Sequence, residues 1–358
     1  MRQELRALTG LRGAAAMAVA LAHFNNAFPA NAGAAFMWHN AVDLFFCLSG
    51  FTLSYVYSRE TFRFSDYLTA RIARVYPLYV LCLISAGALY VWPYLVDPVT
   101  YPASRAALDF ALQLTMLNAW PVIGTGMHWD APAWSLSAEW FCYVVLFPLL
   151  LFRNAPSTVA TRFLGSVLCS ALGFWLFARY YFEGSIGMSV PESQLSYWVP
   201  VVRATCGFVS GWLVFASFQR RDGLHAACTR FSGVIWCGVA LIVLLAYRGL
   251  INPQMPVFVW PFVVLAGTGE DSLSSRLLGS KPMHFLGVIS YSIYMTHFII
   301  LISFMTRFGP LDIWSPAIFG LLSGTTVVVS IGTHFVLEVP ARDAIRGLRR
   351  LRRAPAGT

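Results

Sequence analysis

Apolar residues run along the chain in long stretches, broken by short polar segments. The stretches cover about 13–30, 34–57, 72–94, 104–120, 136–152, 162–182, 198–218, 231–249, 255–268, 284–306 and 315–338. Most are close to the roughly twenty residues that a helix needs to cross a bilayer. Arginine clusters punctuate them: Arg2/Arg6/Arg12, Arg59/Arg63/Arg71/Arg74, Arg153/Arg162, Arg220/Arg221/Arg230, Arg276 with Lys281, and the C-terminal tail. If segment 104–120 does not cross, every cluster falls on the cytoplasmic side; if it crosses, the later clusters flip outward. That segment carries Arg105, Asp109, Gln113 and Asn118, a mixture suited to a re-entrant or surface-lying helix. The pattern therefore predicts an all-α polytopic membrane protein of about ten transmembrane helices. Both termini are expected in the cytoplasm, with one non-spanning or re-entrant helix. Residues 1–340 read as the membrane domain and 341–358 as a basic cytoplasmic tail. The largest hydrophilic stretches, Pro121–Pro132 and Gly269–Pro282, are expected outside and inside respectively.

Composition agrees. Of 358 residues 58% are hydrophobic and 11% charged, against about a quarter charged in soluble domains. The net charge of +9 flanks apolar segments, as membrane topology requires. The tail Arg346-Gly-Leu-Arg-Arg-Leu-Arg-Arg reads as topogenic or as a contact for anionic lipid rather than for RNA, so no nucleic-acid partner is expected. Seven cysteines lie mostly in apolar stretches without a CxxC pair, and read as small core residues, neither a disulfide framework nor a metal site. Ala30-Asn-Ala32 mimics a signal-peptidase site, but cleavage there would discard Arg12 and His23 and leave an odd number of spans. Arginine outnumbers lysine 24 to one, which hints at a GC-rich bacterial genome.

Arg12 and His23 are the most informative pair. Eleven residues of helix rise about 16 Å, roughly half a bilayer core. An imidazole at that depth either bonds to a neighbouring helix backbone or belongs to a polar site. Arg71 and Arg74, three apart, share a helix face where the third span begins. With Arg12 they can form a cationic cluster for phosphate or pyrophosphate; the alternative is topogenic arginine on lipid headgroups. Asp43, near the outer end of the second span, and Glu139, at the outer start of a later one, can orient an imidazole or bind sugar hydroxyls, or else pair with arginine. His297 lies mid-span with Tyr291 and Tyr294 on a similar face, and a second buried imidazole favours a polar cavity. His334 and Glu338, four apart, either pair with each other or with tail arginines. No GxxxxGK[ST], GxGxxG after a strand, HExxH or GxSxG occurs, so ATP-driven, nicotinamide and metalloprotease readings have no support.

Taken in order, six stretches resemble the acyltransferase-3 family of integral-membrane O-acyltransferases. They are Leu8-Thr-Gly-Leu-Arg12-Gly with His23, Val42-Asp43-Leu-Phe-Phe-Cys-Leu-Ser-Gly50-Phe, Arg71-Ile-Ala-Arg74-Val-Tyr-Pro77, Trp134-Ser-Leu-Ser-Ala-Glu139, Leu286-Gly-Val-Ile-Ser-Tyr291-Ser-Ile-Tyr-Met-Thr-His297 and Glu338-Val-Pro340. The resemblance implies ten spans, an acyl-CoA donor on the cytoplasmic side, and transfer to a hydroxyl, commonly on a sugar at the outer face. It makes His23 the essential imidazole and Arg12, Arg71, Arg74 and Glu338 further functional positions. Trp140 departs from the family pattern where a second carboxylate is common, and Thr296 and Ile299 replace the usual Trp and Pro around His297. Some relatives carry a fused extracytoplasmic hydrolase-like domain. This chain stops at Thr358 without one, so it is expected to act directly or through a separate extracytoplasmic partner.

The expectation is a bacterial inner-membrane O-acyltransferase that moves an acyl group, acetyl foremost, from acyl-CoA to a glycan hydroxyl. His23, Asp43 and Glu139 are the catalytic candidates, His23 as general base or transient acyl carrier. Arg12, Arg71 and Arg74 are the candidates for holding acetyl-CoA, and His297, Tyr291 and Glu338 for lining the same cavity. Membrane lipids are the other expected partners, and no metal is expected. The rival is a proton-coupled transporter or glycan flippase using intramembrane His and Asp. It is disfavoured because no inverted repeat and no matched pair of broken helices is evident.

Overall fold

A computed structural model of the chain describes residues 3–28, 40–124, 129–181, 198–311 and 315–353. Their regular structure is helical, and among them no strand forms beyond one isolated bridge between Asp97 and Tyr101. In chain order the helices are α1 Arg6–Asn26, α2 Ala41–Val56, α3 Phe64–Ala86, α4 Ala103–Leu114, α5 Ala133–Phe141, α6 Val159–Tyr181 and α7 Val199–Arg220. They continue with α8 Gly223–Arg230, α9 Ser232–Tyr247, α10 Trp260–Ala266, α11 Leu273–Leu278, α12 Lys281–Val288, α13 Ser290–Phe308, α14 Pro316–Thr333 and α15 Val339–Arg353. Short π-helical or α-helical pieces extend α3 to Leu95, α5 to Leu151 and α14 to Glu338.

Among the described residues six helices are long and apolar enough to cross a membrane: Arg6–Asn26, Phe64–Leu95, Ala133–Leu151, Val159–Leu176, Val199–Arg220 and Pro316–Gly347. The number reaches eight if α8 with α9, bent by 69°, and α12 with α13, bent by 65°, are each one broken span. The sequence alone suggests ten, and the shortfall has identifiable sources. Segment 255–268 carries Pro256 and Pro261, and the chain divides there into a 3₁₀ turn, Met255–Phe258, and the seven-residue α10. The apolar run 34–57 yields only the sixteen-residue α2 among the described residues. The triplet Ala30-Asn-Ala32 lies outside them. Segment 104–120 forms α4, whose twelve residues are too few to span. Asp109 and Gln113 are buried on it, with Asp109 accepting from Tyr101 at 2.7 Å and from Arg105 at 3.3 Å.

α7 is the most buried of the spanning helices and packs against α2 and α6. Its contact with α2 depends on glycine: a Cβ on Gly211 would stand 2.0 Å from the Cys47 carbonyl oxygen. A second such contact positions the site. A Cβ on Gly13 would lie 2.5 Å from the Gly287 nitrogen, and one on Gly287 would lie 1.9 Å from the Thr9 oxygen. The backbones of α1 and α12 therefore touch, where any larger residue would hold them apart.

Candidate active site

The contact of α1 with α12 delivers Arg12 to the break between α12 and α13. Carbonyls in the last turn of a helix lack intrahelical partners and carry partial negative charge, so a guanidinium is well placed there. Arg12 NH2 donates to the Gly287 oxygen at 2.9 Å and Nε to Ser290 Oγ at 2.9 Å. Both partners are neutral. Arg71 and Arg74 come from one face of α3, as their spacing predicts. The Arg71 guanidinium lies over the Tyr143 ring, 5.8 Å from its centroid, and its buried Nε has no hydrogen-bond partner among the described residues. Arg74 lies over the Tyr291 ring at 5.8 Å and donates to Glu338 Oε1 at 2.6 Å. Glu338 is buried and fully engaged, its second oxygen accepting from Ser292 at 3.0 Å and lying 2.9 Å from His334 Nδ1. Of the two alternatives for the His334/Glu338 pair, the mutual contact is present, with Arg74 added to it.

Arg12, Arg71, Arg74, Glu139 and Tyr291 line one cavity of about 140 Å³, with Ser49, Tyr143, Ser290 and Tyr294. Three cations thus face one carboxylate, and that carboxylate accepts a short hydrogen bond from Ser49. A second cavity of about 470 Å³, at the start of α1, shares Arg12, Leu48 and Thr52 with the first. The two cavities adjoin at these residues, and such a basic, aromatic-walled chamber suits an elongated anion.

His23 and His297 lie apart from the arginines but against each other. His297 Nε2 is 3.2 Å from His23 Nδ1, with ring centroids 5.0 Å apart. His23 Nδ1 is also 3.0 Å from the Val19 oxygen, and His297 Nδ1 is 3.2 Å from the Ile293 oxygen. The backbone contact of His23 is thus to its own helix, four residues back, and its partner on another helix is the imidazole of His297. Tyr294 joins this pair to the chamber: it lines the cavity, its ring centroid is 5.9 Å from that of His297, and its hydroxyl is 2.5 Å from Ser135 Oγ.

Of the alternatives open to Asp43, the pairing with arginine is the one present. Asp43 receives both Nε and NH2 of Arg203 at 2.7 Å each, and Gln254 Nε2 at 2.7 Å, all buried between α2, α7 and the loop before α10. The electrostatic complement of Asp43 is thus a buried arginine, and Glu139 is bonded to Ser49. Sequence reasoning missed Arg203, Gln254, Ser49, Tyr143 and Ser290. For Arg203 a signal existed, since Val199-Pro-Val-Val-Arg203 places one arginine inside an apolar run, as Asp43 places one carboxylate. It also missed Asp130, in the loop before α5. That carboxylate is fully buried, neither of its oxygens has a hydrogen-bond partner among the described residues, and burial pushes its pKa up to about 7.

Comparison with known proteins decides the class. An acyltransferase domain model, acyltransferase-3, matches residues 5–335. The chain belongs to the acyltransferase-3 family. It is a membrane acyltransferase, and the chamber and imidazole pair lie within the matched residues. Over 327 residues it is 28% identical to the exopolysaccharide production protein ExoZ of Rhizobium meliloti (strain 1021), covering 88% of this chain and 92% of that one. Over 147 residues it is 33% identical to protein 2 in the picA locus of Rhizobium radiobacter, covering 37% of this chain and 75% of that one. No solved structure matches the chain.

Proposed function

We propose that this acyltransferase moves an acyl group, acetyl foremost, from cytoplasmic acyl-CoA to a hydroxyl of a polysaccharide or its precursor, in a bacterial inner membrane. The observation that carries the reading is the basic chamber: Arg12 and Arg71 have no carboxylate partner among the described residues, and Arg74 stands beside them. Planar guanidinium donors suit the pyrophosphate and 3′-phosphate of the donor. The larger cavity at the start of α1 would admit the nucleotide, and the thioester end would pass Tyr294 toward His23. This reading takes both termini as cytoplasmic and ten crossings, with α2 and the α10 region as the crossings shortest in the described residues. The name of the Rhizobium meliloti relative, an exopolysaccharide production protein, supports a polysaccharide acceptor.

His23 then acts as general base toward the acceptor hydroxyl, or carries the acyl group transiently. Asp43 is assigned no chemical step, because Arg203 and Gln254 hold its oxygens. Glu139 is placed in the chamber wall, where it and Ser49 meet the donor. Tyr291 and Glu338 act through Arg74, which they hold in position. A separate extracytoplasmic transferase partner is not needed for this scheme.

The test uses purified protein in nanodiscs with labelled acetyl-CoA, comparing wild type, His23→Ala and Arg71→Ala. Wild type should consume the donor. His23→Ala should bind it but turn over about 10²–10⁴-fold more slowly, the usual contribution of general-base catalysis. Arg71→Ala should bind it roughly ten- to a hundred-fold more weakly. Wild-type protein that neither binds nor consumes any acyl-CoA would overturn the reading.

A further inference from the structure

His23 presents two ring nitrogens, and either proposed role, base or acyl carrier, requires the one that holds a lone pair. A neutral imidazole has one N–H and one lone pair, and the hydrogen bond at one nitrogen fixes the state of the other. His297 is the simpler case. It is fully buried on α13, and its Nδ1 faces the Ile293 carbonyl oxygen at 3.2 Å. A carbonyl oxygen only accepts, so Nδ1 of His297 carries the hydrogen and Nε2 carries the lone pair. That lone pair is directed at Nδ1 of His23, 3.2 Å away. The same His23 nitrogen also faces the Val19 carbonyl oxygen at 3.0 Å. Two acceptors converge on Nδ1 of His23, so it is the donor.

We infer that His297 is a positioning residue for catalysis: together with the Val19 carbonyl it holds the proton on Nδ1 of His23 and so keeps the lone pair of His23 on Nε2. The inference rests on the reading of His23 as the working imidazole. The arrangement parallels the orienting acid of a catalytic triad, with a neutral imidazole in place of a carboxylate. In the base route the acceptor hydroxyl gives its proton to Nε2 of His23 as its oxygen bonds to the acyl carbon. The carbon–sulfur bond breaks, and the departing thiolate takes that proton, giving the ester and free CoA thiol. While Nε2 holds the proton the ring is a cation, and the second imidazole stabilises it by accepting from Nδ1–H without introducing a counter-charge. A carboxylate at position 297 would tie the cation into an ion pair, whereas a leucine would remove one of the two acceptors that meet Nδ1.

Three variants and one spectrum test this. In nanodiscs with acetyl-CoA and an acceptor extract, His297→Leu should lower kcat roughly ten- to hundred-fold, as loss of the partner that orients a metal-bound histidine does, while KM for acetyl-CoA stays within about twofold. His297→Gln, whose Oε1 can accept from Nδ1–H, should retain most of the rate. ¹⁵N-histidine spectra of the wild-type protein, with His23→Gln used to assign the signal, should show His23 protonated at Nδ1; in His297→Leu the signal should move toward a tautomer mixture. The inference is overturned if His297→Leu turns over like wild type, if His297→Gln loses as much as His297→Leu while both remain folded, or if His23 carries its proton on Nε2. The spectrum needs no substrate. Absence of turnover in wild type would therefore count against the functional reading alone, and the tautomer would still decide this one.

Discussion

Arg203 and Arg71 both enter the membrane region on long helices, and their surroundings could hardly differ more. Arg203 meets Asp43 through two parallel hydrogen bonds of 2.7 Å, is capped by the Trp134 ring at 5.4 Å, and is 4% exposed. Arg71 has aromatic neighbours, no ion pair among the described residues, and a buried Nε without a hydrogen-bond partner. One guanidinium has its ion pair within the chain; the other has none among the described residues. A charge whose complement lies in the same protein is architecture. A charge in a cavity with no ion pair of its own is a candidate for meeting a ligand, and Arg12, bonded to a carbonyl and a hydroxyl and without an ion pair among the described residues, belongs with Arg71 in this respect.

The largest expected effect tests the completed side of this contrast. Arg203→Leu leaves a buried carboxylate with one amide partner, and breaking a buried pair in this way costs about 3–5 kcal/mol. The variant should give little monodisperse protein or a sharply lowered thermal midpoint in detergent. Arg203→Leu with Asp43→Leu should recover most of that loss, because a pair replaced by packed apolar residues is often neutral. If the double variant is as crippled as the single one, Asp43 has a role beyond this pair, and its assignment to architecture fails.

Arg71→Leu should do the reverse. Its thermal midpoint should stay closer to wild type than that of Arg203→Leu, because no direct ion pair among the described residues is broken and Arg12 and Arg74 still face Glu139. Affinity for CoA should fall, since a hydrogen bond to a charged group contributes about 1.5–3 kcal/mol, or roughly ten- to a hundred-fold in Kd. Isothermal titration with CoA in nanodiscs gives the number, and unchanged affinity would remove Arg71 from the donor site. Glu338→Gln lies between the two. Arg74, Ser292 and His334 converge on that carboxylate, so the amide leaves at least one buried group poorly matched. A loss of about 1–3 kcal/mol in stability is expected, accompanied by weaker CoA binding as Arg74 loses its anchor.

The contrast also explains what the sequence disclosed. Arg71 and Arg74 were readable because their relation is local: three residues on a helix fix a shared face whatever the tertiary fold. His334 and Glu338 were readable for the same reason, at four residues. The partner of Asp43 lies 160 residues away, and that of His23 lies 274 away. No periodicity in one segment reports which other helix it will meet. Each group was visible as an unusual polar residue in an apolar run, and the fold alone supplied the pairing. The helical pattern shows the same division. Apolar length located the spanning helices, but the 65° bend between α12 and α13 was not visible in a continuous apolar run. It arises where Gly287 touches the backbone of α1 and Arg12 takes up the terminal carbonyl, both consequences of packing.

A third arginine lies between the two extremes and gives the smallest effect. Arg162, 1% exposed, bonds to Ser217 at 2.9 Å and to the carbonyls of Pro156 and Ser157, and it closes a short contact to Asp222, which is 12% exposed. Asp222 also caps α8, accepting from the backbone nitrogens of Leu224 and His225 at 2.9 and 3.1 Å. Burial raises the pKa of Asp222, but the His225 N–H, Arg162 and Ser217 more than offset this and hold it below the ordinary aspartate range. The sign follows. A carboxylate whose pKa is lower in the folded than in the unfolded chain binds fewer protons when folded, so its stabilisation is complete above the unfolded value of about 3.9 and is lost as pH falls through the folded one. Asp222→Asn removes the charge and keeps a good capping side chain, so the variant reports the ion pair rather than the cap. At pH 7 it should be less stable than wild type by about 1 kcal/mol, because water reaches the carboxylate and weakens the pair. Thermal midpoints measured from pH 7 downward should keep that gap until about pH 4 and close it below, where the wild-type carboxylate also becomes protonated. A gap that persists unchanged into the acid range would mean that the substituted amide fails as a cap, and the stabilisation would then belong to α8 instead of to Arg162.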